Sequence, residues 1–430
     1  MRSAQPRLTR LLTCAGLLAL ASPGIAAAQT GTSTQVTFPE DGGPLPRADI
    51  PEGGTPSWRE PDDKAQGPSL TDEGQPRPPH ADKVPAIPPG LTPDGKRRLD
   101  VRWRGYLRVV AEVVENDALQ FIGRNDGFRL ANARLGLSAN YGPDLLAYVS
   151  LDAALAQTTD LNDPSAKLAV GVRDAFIQYD LSRRASVRVG RFKAPYDLGA
   201  LESTGARAFI DSPLESQGIL RTQGLETRGM SQDRELGAML FKERVGLSDD
   251  GFDLGYYVAL TNGRTGERVF NDSDTVAAFV RASLHYGPWV TVNLGGFMDT
   301  RTTGELPNLL DEEVWGAEGS VQLTYEAFKV EGQMLFQRLS PTTAGTPAFN
   351  ALGVHGQWTY RIWQLEPGYR FAFFEPNDQV QQDVVTEHTI GISYYPGELP
   401  LRLSLNGTLP IEQRKVNNNR LSLLVQFSFE

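Results

Sequence analysis

The chain has 430 residues, 40% of them hydrophobic, a mean hydropathy of −0.32 and a formal net charge of −10. Outside the extreme N-terminus it has no run of roughly 18 apolar residues, which excludes a helical membrane transporter. A pI near 5.1 repels phosphate backbones and argues against a nucleic-acid partner.

Residues 1–28 read as an export signal. Arg2, Arg7 and Arg10 form a basic start, Leu11 to Ala21 a short apolar stretch, and Ala26-Ala27-Ala28 a small-residue cleavage site. Cys14, the single cysteine, falls inside this segment, so neither a disulfide framework nor a thiolate metal site is expected. Residues 29–98 hold about half of the 29 prolines and show no hydrophobic period. Such a stretch buries too little apolar surface to offset its ordering entropy, and is expected to be a disordered periplasmic linker. Trp58 and "HADKVPAIPPG" are its candidate points of contact with the cell wall.

From residue 99 to 430 the pattern becomes alternation. In "VRWRGYLRVVAEVVEN", Val101, Trp103, Leu107, Val109, Ala111 and Val113 share one face, with Arg102, Arg104, Arg108 and Glu112 on the other. "LANARLGLSANYG" repeats this, with Ala131, Ala133, Leu135, Leu137, Ala139 and Tyr141 opposite Asn132, Arg134, Ser138 and Asn140. About sixteen such segments follow one another, matching the tilted strands of roughly 9–11 residues that cross a bilayer. Tight connections ("YGPD", "YGPW", "YYPGELP") alternate with longer polar ones ("DALQFIGRNDG", "RTGERVFNDSD", "RTTGELPNLLDEE"). The expected fold is all-β, a transmembrane antiparallel β-barrel of about 16 strands. Its outer face meets outer-membrane lipid, with Tyr141, Tyr286, Tyr325, Tyr360, Tyr394 and Trp363 at the headgroup level.

The other face is polar and carries both signs of charge, including Arg188, Arg281, His285, Asp299, Glu318, Glu331, Arg370 and Arg402. Sixteen strands leave an aqueous channel, so passive passage of small hydrophilic solutes is expected. Between the fifth and sixth segments, residues 194–234 form a connection too long for a plain turn and rich in Leu198, Leu201, Phe209, Ile210, Leu214, Ile219 and Leu220. Such a loop folds inward onto the wall and narrows the bore, carrying Arg207, Arg221, Arg228 and Arg234, with Arg191 and Lys193 at its root. Together with Arg104, Arg108, Arg134, Arg188, Arg281 and Arg370 these are the candidate anion-path residues, since guanidinium stays charged and meets oxyanions with two bonds.

"VRVGRFKAPYDLGALESTGARAFIDSPLES", followed by "RELGAML" and "GYYVALTNG", resembles the phosphate-selective porin O and P family. The motif positions are Gly190, Phe192, Lys193, Pro195, Ser203 and Phe209. The resemblance implies a homotrimer of 16-stranded barrels in the outer membrane of a Gram-negative-type envelope, each with an inward third loop and an arginine-lined path for anions such as phosphate. "RLSLLVQFSFE" is similar to the C-terminal insertion signal of outer-membrane barrels, except that Glu430 follows the last aromatic. Residues 99–430 carry 31 basic and 41 acidic residues, so anion preference has to come from local placement.

Other functions are open at this stage. A general or sugar-preferring porin would use the inner-face aromatics Tyr106, Tyr148, Phe279, Phe297 and Phe374. A structural envelope tether would conduct nothing. A barrel enzyme needs a nucleophile and base, but His285, His355 and His388 lack partner signatures and read as lumen or loop hydrogen-bonders, so no catalytic residue is expected. "DLNDPS" and "NDSD" lack metal-ligand spacing, and neither metal nor cofactor is expected.

Overall fold

The computed structural model describes residues 90–92, 95–115, 127–154, 169–219, 227–247, 251–263, 273, 275–305, 308–343, 346–413 and 417–429. The expected signal segment, the linker to residue 89, Leu220 and Arg221 lie outside the described residues. Strands β1 (Leu99–Val114), β2 (Gly127–Tyr141), β3 (Leu145–Asp152), β4 (Gly171–Ser182) and β5 (Ala185–Lys193) precede the long connection. Within that connection lie α1 (Leu198–Leu201), α2 (Leu214–Gln217), β6 (Gly218–Ile219) and β7 (Thr227–Arg228). There follow β8 (Arg234–Gly246), β9 (Phe252–Thr261), β10 (Ala277–Tyr286), β11 (Val290–Glu305), β12 (Asn308–Tyr325) and β13 (Phe328–Pro341). The chain ends with β14 (Phe349–Tyr360), β15 (Leu365–Glu375), β16 (Val385–Tyr394), β17 (Leu401–Glu412) and β18 (Arg420–Phe429).

Sixteen of these strands pair antiparallel with their neighbours, and β18 closes on β1. Closure leaves no edge strand among these sixteen, so outside the bulges the ladder donors and acceptors are paired within the wall. The alternation has a visible cause in β18, where Leu421, Leu423, Val425, Phe427 and Phe429 are exposed while Arg420, Ser422, Leu424 and Gln426 are buried. An apolar outside and a polar inside is the reverse of a soluble sheet and suits a hydrocarbon solvent. Tyr141, Tyr286, Tyr325, Tyr360 and Tyr394 lie exposed at strand ends, and Trp363, at φ 54°, sits in the β14–β15 turn.

Several details depart from strict alternation. The connection "RTTGELPNLLDEE" is a continued hairpin of β11 and β12, stitched by Thr302 Oγ1 donating to Asp311 at 2.7 Å and by the Arg301–Glu312 ion pair at 3.2 Å. A bulge between Arg108 and Val109 in the β1–β2 register skips Ala131, which packs inward on Val110, Ile210 and Leu424 rather than sharing the outer face with Ala133. The same bulge turns Arg129 to the inside. A second one, in the β3–β4 register, skips Arg173. Just before β1, Leu91 bridges Arg97, whose guanidinium pairs with Asp144 of the β2–β3 turn at 2.6 Å.

Candidate functional site

The described residues of the connection between β5 and β8 lie inside the barrel, held at several points by side chains of the wall. Its root is set by the β5 end. Phe192 is fully buried, and Lys193 Nζ donates to the carbonyls of Leu201 and Glu202 at 2.9 and 2.8 Å, neutralising the exposed end of α1. Tyr196 then packs edge-on against Phe297 at 4.7 Å, and its hydroxyl reaches the carbonyls of Ala317 and Phe336.

Asp197 is the first anchor. It caps α1 by accepting from Gly199 N at 2.9 Å, and it also accepts from Ser216 Oγ at 2.9 Å and from Gln333 Nε2 at 2.8 Å. Its own N–H donates to Glu318 at 2.7 Å. Burial pushes its carboxyl above the ordinary carboxylate range, and the Gln333 and Ser216 donors offset only part of that push.

The second anchor is α2. Glu215 meets Nδ1 of His355 at 2.5 Å, and the other ring nitrogen lies 3.2 Å from Glu331. Gly353 lets α2 approach β14, since a Cβ there would lie 2.2 Å from that of Glu215. Gln337 completes this side by donating to the Met230 carbonyl.

The third anchor is a row of cations. Arg108 Nη2 donates to the Ile210 carbonyl at 2.8 Å, Arg370 Nη1 to the Asp211 carbonyl at 2.9 Å, and Arg402 to the carbonyls of Arg207 and Ala208. Gln426 adds a bond to the Gly205 carbonyl at 2.9 Å. Asp211 also pairs with Arg129 at 3.1 Å, and Glu387 with Arg420 at 2.6 Å and Arg370 at 3.4 Å. Against the upward push of burial, Arg129, Arg420, Arg370 and Arg108 together hold the Asp211 carboxyl below its ordinary range.

The candidate anion-path residues therefore divide. Arg108 and Arg370 are buried and engaged with loop carbonyls; Arg207 donates to the Gly199 carbonyl at 2.9 Å and to Ser212. Arg234 pairs with Asp174 at 2.8 Å and Asp233 at 2.9 Å, and Arg281 with Glu318 at 3.1 Å. Arg191 stands in register with Ala175 and the exposed Leu236, on the outward face, and its Nε donates to the Arg173 carbonyl. Arg228 is exposed, paired in register with Gly218. Arg188 is sandwiched between Phe176 at 4.3 Å and Phe241 at 4.8 Å.

Arg104 and Arg134 remain partly open, the first over the Tyr148 ring at 4.9 Å, the second over Tyr106 at 5.6 Å and 3.5 Å from Asp152. Tyr106 Oη and the Nε atoms of Arg134, Arg173 and Arg207 are buried without an acceptor among the described residues. Phe279, Phe297 and Phe374 are not water-facing, because the loop covers them to below 5% exposure. His388 stands opposite Phe371 on the outer face and accepts from or donates to the Tyr369 hydroxyl at 2.7 Å, whereas His355 lies inside. Among the described residues no cluster has the make-up of a metal site.

Of the motif positions, Gly190 has φ 129° where β5 pairs with β4, a Cβ there lying 2.2 Å from the Ala175 carbonyl, and Pro195 is buried. Ser203 accepts through its carbonyl from Ala206 and Arg207, turning the loop, and Phe209 is buried beneath the Arg370 guanidinium at 5.0 Å. These positions build the loop's root, turn and tip.

Residues 106–421 match the model of the phosphate-selective porin O and P family. The chain belongs to that family. It is thus an outer-membrane porin barrel, and the solved structures it is similar to agree in fold. The outer-membrane channel DcaP of Acinetobacter baumannii is 16% identical with a TM-score of 0.55, over 80% of this chain and 100% of that one. OmpT of Vibrio cholerae, solved in a trimer form, is 12% identical with a TM-score of 0.54, over 77% and 99%. An anion-selective porin from Comamonas acidovorans is 14% identical with a TM-score of 0.53, over 77% and 100%. No curated protein matches the porin sequence significantly.

Proposed function

We propose that this porin passes small anions, phosphate among them, by diffusion along the β1–β5 side of a bore narrowed by its inward loop. The observation that carries this reading is a segregation of charge. Asp197, Glu215 and Glu318 are sealed at 5% exposure or less between the loop and β12–β14. Arg104 on β1 stays partly open with no carboxylate partner among the described residues, while Arg134 on β2, 9% exposed, and Arg173 on β4 are partly offset by Asp152 at 3.5 Å and Asp233 at 3.2 Å. An acidic chain thereby offers an anion a locally basic wall, and field lines focus in a narrow bore between low-dielectric walls.

The family and an anion-selective relative of the same fold support the reading. A sugar-preferring path finds less support, since Tyr106 and Tyr148 each carry a guanidinium over the ring. A channel rather than an enzyme is likewise the reading the family supports. In the same proposal residues 1–28 direct export, residues 29–98 reach towards the cell wall, and the barrel forms a homotrimer.

Reversal potentials across planar bilayers in a potassium chloride gradient test it. Anion preference is expected for the wild type, reduced in the Arg104→Ala/Arg134→Ala/Arg173→Ala triple variant. A cation-preferring wild type, or a protein that inserts without conducting, rejects the reading.

A further inference from the structure

Five inward side chains of the open wall form a continuous stack across neighbouring strands. Arg104 of β1 lies over the Tyr148 ring of β3, Tyr148 meets Phe176 of β4 at 5.4 Å, and Arg188 of β5 lies between Phe176 and Phe241 of β8. The stack crosses β2 without a contribution from it, because Gly136 leaves room there: a Cβ on that residue would lie 2.7 Å from Tyr148 Oη. Along the wall the order is thus guanidinium, two tilted rings, guanidinium and a third ring, an arrangement that favours flat partners.

The two ends of the stack differ. Arg188 and Phe241 are sealed at 3% and 2% exposure, whereas Arg104, Tyr148 and Phe176 are partly open. Arg104 has no carboxylate partner among the described residues, and none of the loop's hydrogen bonds there reaches Arg104, Tyr148 or Phe176. Beside it, Arg134 lies over Tyr106, whose buried hydroxyl has no partner either. The open end therefore combines the partly exposed guanidinium N–H groups of Arg104 with the partly exposed edges of two aromatic rings.

We infer that this patch is a binding subsite for planar organic anions, aromatic carboxylates of the benzoate class, within the anion path proposed above. The carboxylate meets Arg104 through its fork of N–H groups, which hold both oxygens at once. The attached ring meets the exposed edges of Tyr148 and Phe176, whose faces Arg104 and Arg188 already cover, in an edge-to-face arrangement that removes apolar surface from water on both partners. Inorganic phosphate uses only the cationic half of the patch and leaves the rings wet. Acetate does the same with one charge and no ring, so it isolates the carboxylate contribution. The inference rests on the anion-porin reading but makes a separate demand: selectivity among anions of equal charge.

The test is inhibition of chloride current through the full-length protein in planar bilayers by benzoate, acetate and phosphate at matched ionic strength. Benzoate is expected to inhibit about threefold to tenfold more tightly than acetate, the range that one aromatic stacking contact supplies, and more tightly than phosphate. Tyr148→Ala brings benzoate to the acetate level. Tyr148→Leu keeps apolar bulk where the smaller residue disturbs the wall, and loses the preference as well, because the aromatic edge is gone. Arg104→Gln weakens benzoate and acetate together. Equal inhibition by benzoate and acetate, strongest inhibition by phosphate, or a benzoate preference that survives both Tyr148 variants overturns the inference while leaving the anion porin intact. A cation-selective wild type overturns both.

Discussion

His355 of β14 and Glu215 of the inward loop stand 2.5 Å apart, both fully buried, and this contact pins the loop's second helix to the barrel wall. A buried ionisable pair is costly to form and costlier to break, because removing one member leaves the other without compensation at roughly 3–5 kcal/mol. His355→Leu is expected to loosen α2 and give larger, noisier single-channel currents than the wild type. Currents of unchanged size and noise would show that the remaining anchors hold the loop unaided.

The Asp197 anchor separates charge from hydrogen bonding. Its side chain accepts three bonds, at a backbone φ of 71° that few residues other than glycine, asparagine and aspartate adopt. Asp197→Asn should keep the loop close to its native position, since the amide oxygen still accepts. Asp197→Leu orphans buried donors at about 1–3 kcal/mol each and places a bulky side chain at an unfavourable φ. Protease accessibility of the loop in intact proteoliposomes is expected to rise only for the leucine variant.

Arg402 donates to two successive loop carbonyls, those of Arg207 and Ala208, and also to Ser404 at 2.9 Å. A planar fork matches that arrangement, whereas an ammonium is a single point of charge. Arg402→Lys should therefore raise conductance nearly as much as Arg402→Ala, although it preserves the charge. Wild-type conductance in the lysine variant would mean that charge alone suffices.

Glu202 is expected to make the channel sensitive to pH near neutrality. Burial, with Glu331 adding to it, pushes its carboxyl up to about 7, while Arg207, Lys193 and Arg402 pull the other way. Below that pH it is largely neutral; as pH rises through it, a negative charge forms on the loop. Anion preference in reversal-potential measurements should fall between pH 6 and 8, and Glu202→Gln should flatten that change. A profile identical in both proteins would place the titration elsewhere.

The strand pattern was legible because hydrocarbon enforces it. An outward position in a membrane barrel tolerates almost nothing polar, so the period of two in "RLSLLVQFSFE" or "VRWRGYLRVV" fixes which face is which. The inner face has no such discipline, since water, loop carbonyls and opposite charges all accept an arginine. Arg104 and Arg108, two positions of one face separated by two repeats of the pleat, look equivalent in sequence. One faces open space over Tyr148, and the other is bound to Ile210.

Sequence by itself determined the all-β barrel, its number of strands, the lipid-facing side and the loop that turns inward, because each follows from local periodicity or from apolar content in a segment too long to stay in water. Only the tertiary structure decided where charge is free. The bulges at Ala131 and Arg173 bring Arg129 and Arg173 into the electrostatics of the bore, and each depends on how neighbouring strands register, not on residue type. The closing of the loop brings Tyr196, Asp197 and Glu215 against Phe297, Glu318 and His355, wall partners more than a hundred positions away. No periodic signal links such pairs, and they meet only once the cylinder has closed.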